Sequence, residues 1–175
     1  MKNAGLFHPD QSLAIVGLGG VGMAALLVGV AMGGSSIAVI DSRADKLDRA
    51  REMGASQAFL PQEIPEEFKA DLVIEAAGNV PAFESAYSMT APGGKLVTVG
   101  LPDPTARISL SPLELVAQGK SLVGSYLGSS NPELDIPFYV ALWEQGRLPL
   151  ERLVSAEVSL EGINAAMDDL HRGEA

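Results

Sequence analysis

Gly17, Gly19 and Gly22 follow an apolar run from Leu13 to Val16, and nineteen residues past Gly22 a second apolar run, Ser36 to Ile40, ends on Asp41. Glycines at this spacing with a later carboxylate suit dinucleotide binding. Gly17 permits a tight turn out of the strand, Gly19 lets the backbone approach a pyrophosphate, and Gly22 lets the following helix pack close to the sheet. The amides of Gly20 and Val21 would meet the diphosphate, with the positive end of the helix dipole behind them. Asp41 would accept both adenosine ribose hydroxyls and repel a 2′-phosphate, so the expected cofactor is NAD(H) rather than NADP(H). With 19 glycines among 175 residues, the glycine spacing alone carries little weight. The ordered series of strand, glycines, helix, strand and acid is what gives it meaning.

Such a site needs a parallel sheet to hold it, and the chain alternates strand and helix in the manner of a sheet with helical crossovers. The spacing predicts a helix from Asp45 to Met53 stopped by Gly54, a strand at Ala58 to Leu60, and a short helical stretch over Glu63 to Phe68. Leu72 to Ile74 reads as the fourth strand, and Asn79 with Pro81 starts a helix running to Met89. After a turn at Pro92-Gly93-Gly94 come a strand at Lys95 to Val99, a helix at Pro112 to Gln118, a strand at Ser121 to Tyr126 and a helix at Leu134 to Gln145. Val154 to Val158 is expected as an edge strand, and Glu161 to Leu170 as an amphipathic helix. The fold class is therefore α/β, a doubly wound and mostly parallel six-stranded sheet of Rossmann type. A single dinucleotide-binding domain spans 1–175.

Composition bounds the partners. Apolar residues make up 47% of the chain and charged residues 19%, enough for a substantial core. A net charge of −10, with only 12 Lys and Arg scattered along the chain, disfavours nucleic acid. The absence of cysteine excludes disulfides and thiolate zinc sites, and the distant His8 and His171 make a poor metal centre. Val21 to Met32 is too short to span a membrane, and the glycine cluster breaks any signal-peptide core, so a cytoplasmic location is expected. Glu75, at the end of a buried strand, reads as solvated or capping a turn and is left outside the site. Trp143 is expected in the core or the crevice wall.

Several segments follow one another in a specific order: Gly17 to Gly22; Asp41 with Lys46; Lys46-Leu47 through Glu52 to Ala55; Gly93 to Gly100; and Gly119 to Gly128. Together they resemble the nucleotide-binding domain of the medium-chain, zinc-dependent alcohol dehydrogenases over nearly the whole chain. The resemblance implies that Asp41 and Lys46 hold the adenosine ribose and that Gly78 lines the cofactor crevice. It places Arg43 along the adenine face, with a solvated position as the alternative. Val21 would press on the nicotinamide ring, and backbone groups of Val99, Leu101, Ser125 and Leu127 would hold its carboxamide.

In that family a GroES-like catalytic domain supplies the zinc ligands and the substrate cleft, and nothing in this chain resembles it. The chain thus reads as an excised domain or a truncated reading frame. No catalytic or metal-ligating residue is expected in it, and zinc is expected only in the missing domain. Alone, it would bind NAD(H) without turning over alcohol. The alternative function is an NAD(H)-sensing regulatory module; an S-adenosylmethionine site fits Gly22 less well. Homodimerisation is expected through the sixth-strand edge near Ser121 to Tyr126.

Overall fold

The computed structural model describes residues 3–172. Six strands form one sheet: β1 (Leu13–Val16), β2 (Ile37–Ile40), β3 (Gln57–Phe59), β4 (Ala70–Glu75), β5 (Thr90–Thr98) and β6 (Ser121–Gly124). Their spatial order is β3-β2-β1-β4-β5-β6, with every neighbouring pair parallel. Parallel central strands are covered on both faces, and β1 and β2 accordingly bury every residue.

Side-chain alternation splits the core into two layers. Leu13, Ile15, Val39 and Ile74 face helix α1 (Gly20–Ala31) and helix α2 (Ala44–Glu52). Ala14, Val16, Val73 and Leu96 face helix α3 (Val80–Met89) on the other side. Helix α4 (Pro112–Ala117), helix α5 (Pro132–Glu144) and helix α6 (Ile163–Arg172) complete the fold. Helix starts follow local chemistry: the Asn79 side chain accepts from the Ala82 amide at 3.0 Å, and the Ser111 hydroxyl accepts from the Glu114 amide at 3.2 Å.

After α5 the chain is strapped back over the α1 and α2 layer. Arg147 donates to the Ala31 carbonyl at the end of α1, and Arg152 donates to the Glu52 carbonyl at the end of α2, each at 2.9 Å. Cations suit the negative end of a helix. Leu148, on this strap, is buried in the core.

The structure corrects several expectations. Val154 to Val158 form no strand, because the Arg49 side chain of α2 donates to the Arg152 and Val154 carbonyls and holds the segment's start on the helix layer. Only a 3-10 turn, Pro61–Glu63, forms near the expected 63–68 helix. Pro65 lacks an amide hydrogen and disfavours helical backbone at Ile64, which is extended. The sixth strand ends at Gly124 rather than Tyr126. The turn at Pro92 to Gly94 lies within β5 as an irregularity, where the pairing jumps from Ala70–Thr90 to Leu72–Lys95. Trp143 is 45% exposed, and its indole N–H donates to Glu151.

Candidate dinucleotide site

The strand order reverses direction between β1 and β4, so a crevice opens at their carboxyl ends. Gly17 leaves β1 there with φ +91°, and its amide donates to the Ile40 carbonyl at 2.8 Å. A Cβ at Gly17 would lie 2.7 Å from the Ala77 amide nitrogen, so the turns after β1 and β4 touch backbone to backbone. Gly22 sits on the first turn of α1, where a Cβ would come within 1.8 Å of the Gly17 carbonyl oxygen. The helix can approach the turn this closely only without that atom. Gly19 and Gly20 differ in kind: a Cβ at either would meet nothing within 4 Å. That open side is where a ligand could approach the backbone. No side chain caps the α1 N-terminus, which leaves its first-turn amides available to an anion.

Asp41 follows β2 and faces this turn. One carboxylate oxygen accepts from the Leu18 amide at 2.7 Å and the other from the Arg43 amide at 3.0 Å. An ionised carboxylate offers about four acceptor positions, so capacity remains for a diol. The side-chain ammonium of Lys46, half-buried on α2, makes no hydrogen bond or ion pair among the described residues. The Arg43 guanidinium forks onto the Asp45 carboxylate at 2.8 and 3.1 Å. That pairing holds the Asp45 carboxyl below the usual carboxylate range and gives the Arg43 side chain a partner other than a ligand.

Along the crevice a cavity of about 520 Å³ opens between α1, the ends of β4 and β5 and the loop after β6. Its wall includes Val21, Val99, Leu101, Ser125 and Leu127 together, with Tyr139 and Leu148 behind them. Val21 is 61% exposed and Leu101 78%, so the apolar wall lies open. The Val99 amide already donates to the Glu75 carbonyl and the Ser125 amide to the Thr98 carbonyl. Of their backbone groups, the carbonyls are what these two residues can offer a ligand, and Ser125 adds a hydroxyl, 3.0 Å from that of Ser129. Gly78 lies on the far side of the same wall and lines a second cavity, of about 360 Å³, with Glu75, Thr98 and Gly100.

Glu75 is the residue that sequence reasoning passed over. It caps a turn, as one of the two readings had it, but it is 1% exposed rather than solvated. One carboxylate oxygen accepts from the Ala77 and Gly78 amides at 2.8 and 2.6 Å, and the other accepts from the Thr98 hydroxyl at 2.7 Å. The available signal was a carboxylate closing an apolar strand two residues before Ala77-Gly78. Its burial depends on Thr98, which lies 23 residues away in sequence.

Residues 20–145 match the family model described as zinc-binding dehydrogenase. Among relatives, the chain is 32% identical to alcohol dehydrogenase-like 4 of Arabidopsis thaliana, over 99% of this chain and 48% of that protein. It is 33% identical to geraniol dehydrogenase of Castellaniella defragrans, over 95% of this chain and 47% of that one. The solved benzyl alcohol dehydrogenase of Acinetobacter calcoaceticus superposes with a TM-score of 0.92 at 26% identity, over 98% of this chain and 49% of its own. The chain therefore spans about half the length of the relatives it matches.

Proposed function

The chain belongs to the zinc-binding dehydrogenase family, and from that premise we propose that it forms the NAD(H)-binding half of an alcohol dehydrogenase-like oxidoreductase. The observation that carries this reading is the cradle at the β1–α1 turn. Gly17 and Gly22 are pressed into backbone contact, Gly19 and Gly20 face open space, and the Asp41 carboxylate stands at the turn's edge. Asp41 and Lys46 hold the adenosine ribose, and the first-turn amides of α1 orient the diphosphate. Val21, Val99 and Leu101 exclude water from one face of the nicotinamide. The carbonyls of Val99 and Ser125 accept from its carboxamide N–H groups, since their own amides are committed. When bound, NAD supplies the hydride acceptor for alcohol oxidation.

Among the described residues, no three His, Cys, Asp or Glu side chains gather where they could hold a metal ion, and the sequence has no cysteine. The described residues do not fit a zinc centre. The cavity beside Val99 and Leu101 is lined mostly by apolar side chains, and its hydroxyls, those of Ser125, Tyr126 and Tyr139, have no histidine, carboxylate or lysine in the lining to take up a proton from an alcohol. Alcohol activation thus falls to residues outside this chain. The assay is direct: the purified chain is incubated with NAD, zinc and benzyl alcohol. The reading predicts no NADH formed, together with saturable NADH binding by the same sample. Zinc- and alcohol-dependent NAD reduction would contradict it.

The same reading includes a homodimer built through β6. This strand is one edge of the sheet, and Leu122 on it and Leu113 and Val116 on the neighbouring α4 are exposed. Light scattering on the concentrated chain tests this; a monomer would contradict it.

A further inference from the structure

Glu75 stands at the end of β4, and its two ends act on different segments. Its side chain gathers the Ala77 and Gly78 amides after β4 and the Thr98 hydroxyl of β5, while its own carbonyl receives the Val99 and Gly100 amides at 2.8 and 3.2 Å. A buried carboxylate is costly unless hydrogen-bonded, and this one is satisfied by three donors.

The contacts around it leave little room for adjustment. Gly78 adopts φ +70°, and a Cβ there would press to 3.1 Å from the Leu101 amide nitrogen. A Cβ at Gly100 would lie 2.4 Å from the Gly78 nitrogen and 3.0 Å from a Glu75 carboxylate oxygen. Gly78 therefore meets the 99–101 segment backbone to backbone, and the Glu75 carboxylate beside that contact holds both the Gly78 amide on one side and the Thr98 hydroxyl on the other.

Alternation along the chain puts the two sides of this wall to different uses. Val97, Val99 and Leu101 line the larger cavity, and Thr98 and Gly100, with Glu75 and Gly78, line the smaller one behind it. Glu75 itself does not line the larger cavity.

We propose that Glu75 is a positioning residue for the nicotinamide end of the site. From behind the wall it fixes where Val99 and Leu101 present their backbones, without touching the cofactor. The inference rests on the NAD(H) reading above and adds to it a residue that acts chiefly on the nicotinamide end, through Gly78 and Thr98. The adenosine end, built on Asp41 and the β1–α1 turn, lies on other strands and is reached from Glu75 through Ala77, whose amide the carboxylate holds and whose backbone lies against Gly17.

The test compares NADH with ADP-ribose, which lacks the nicotinamide, in the 175-residue chain and in Glu75→Ala, Glu75→Gln and Thr98→Val. Calorimetry gives both affinities, and NADH emission reports the surroundings of its ring. Glu75→Ala is expected to lose about tenfold in NADH affinity, a misplacement-sized effect, and to lose the bound-state emission change. Its ADP-ribose affinity falls by about threefold at most, the share carried through Ala77 and Gly17. Glu75→Gln keeps an acceptor for the two amides and gains a donor for the Thr98 hydroxyl oxygen, so it restores both readouts. Thr98→Val shows a smaller loss of the same kind and carries the test if Glu75→Ala does not fold. Equal losses for both ligands, or no loss for either, would overturn the positioning role while leaving the NAD(H) reading intact. A parent chain that binds neither ligand would overturn that reading and the positioning role with it. A parent that binds both equally without an emission change would overturn only the nicotinamide assignment and the role given to Glu75.

Discussion

The Asp41 carboxylate accepts a hydrogen bond from the Leu18 amide at 2.7 Å, tying the end of β2 to the glycine turn after β1 across 23 residues of sequence. The acid that would read the ribose is thus also part of the turn that would hold the diphosphate. Removing it acts on both. Asparagine can keep an oxygen toward Leu18, whereas alanine leaves that amide without its acceptor.

Asp41→Ala is therefore expected to lower folding stability by about 1.5–3 kcal/mol, the range of a hydrogen bond to a charged group, while Asp41→Asn loses less. Denaturant unfolding of the two variants checks this. Equal stability of both with the parent would show that the Leu18 contact does not hold the turn.

The glycines divide by what surrounds them. Gly22→Ala sets a Cβ against the Gly17 carbonyl and is expected to cost about 3 kcal/mol or more, because two backbones must separate. Gly19→Ala places its methyl in open space and should leave unfolding nearly unchanged while weakening NADH binding about tenfold or more. Thermal unfolding paired with NADH titration separates the two effects.

The glycine turn and Asp41 were legible because their roles are local: a glycine needed where backbone must turn or touch, and an acid ending an apolar run. The order of strands and helices was legible for the same reason, through periodicity and caps such as Asn79 and Ser111. What escaped depends on distant partners. The Val154 to Val158 segment has the composition of an edge strand, yet Arg49 from α2 binds carbonyls at its start. The 63–68 helix is the local exception, ruled out by the restriction that Pro65 places on Ile64. Trp143 is drawn to Glu151 at the surface, and Glu75 became a buried organiser only through its contact with Thr98 on the next strand.

Asp71 and Ser12 join the entry of β1 to β4. The Ser12 hydroxyl and amide donate to one Asp71 oxygen at 2.6 and 2.8 Å, and these bonds hold its carboxyl below the usual range. A carboxyl depressed in the folded state adds stability that is present above about pH 4, the unperturbed range, and is lost as pH falls through the folded value. Ser12→Ala is expected to be less stable than the parent at neutral pH, with the gap narrowing below about pH 4. A gap independent of pH would contradict this.

Tyr87 is buried with its hydroxyl lacking a partner among the described residues, while the Lys120 ammonium sits 4.6 Å from its ring centroid and donates to its carbonyl. Burial, with the Glu114 carboxylate adding to it, raises the phenol pKa. Tyr87→Phe removes an unsatisfied polar atom and keeps the ring under Lys120, so its Tm is expected to equal or exceed that of the parent. A clear drop in Tm would mean the hydroxyl has a partner.

The most direct test of the central claim is calorimetric titration of the chain with NADH and with NADPH, repeated for Asp41→Gly. The account predicts that NADH binds at least about tenfold more tightly than NADPH and that the preference is lost or reversed in Asp41→Gly. Binding of neither cofactor, or the same preference in the variant as in the parent, would contradict it.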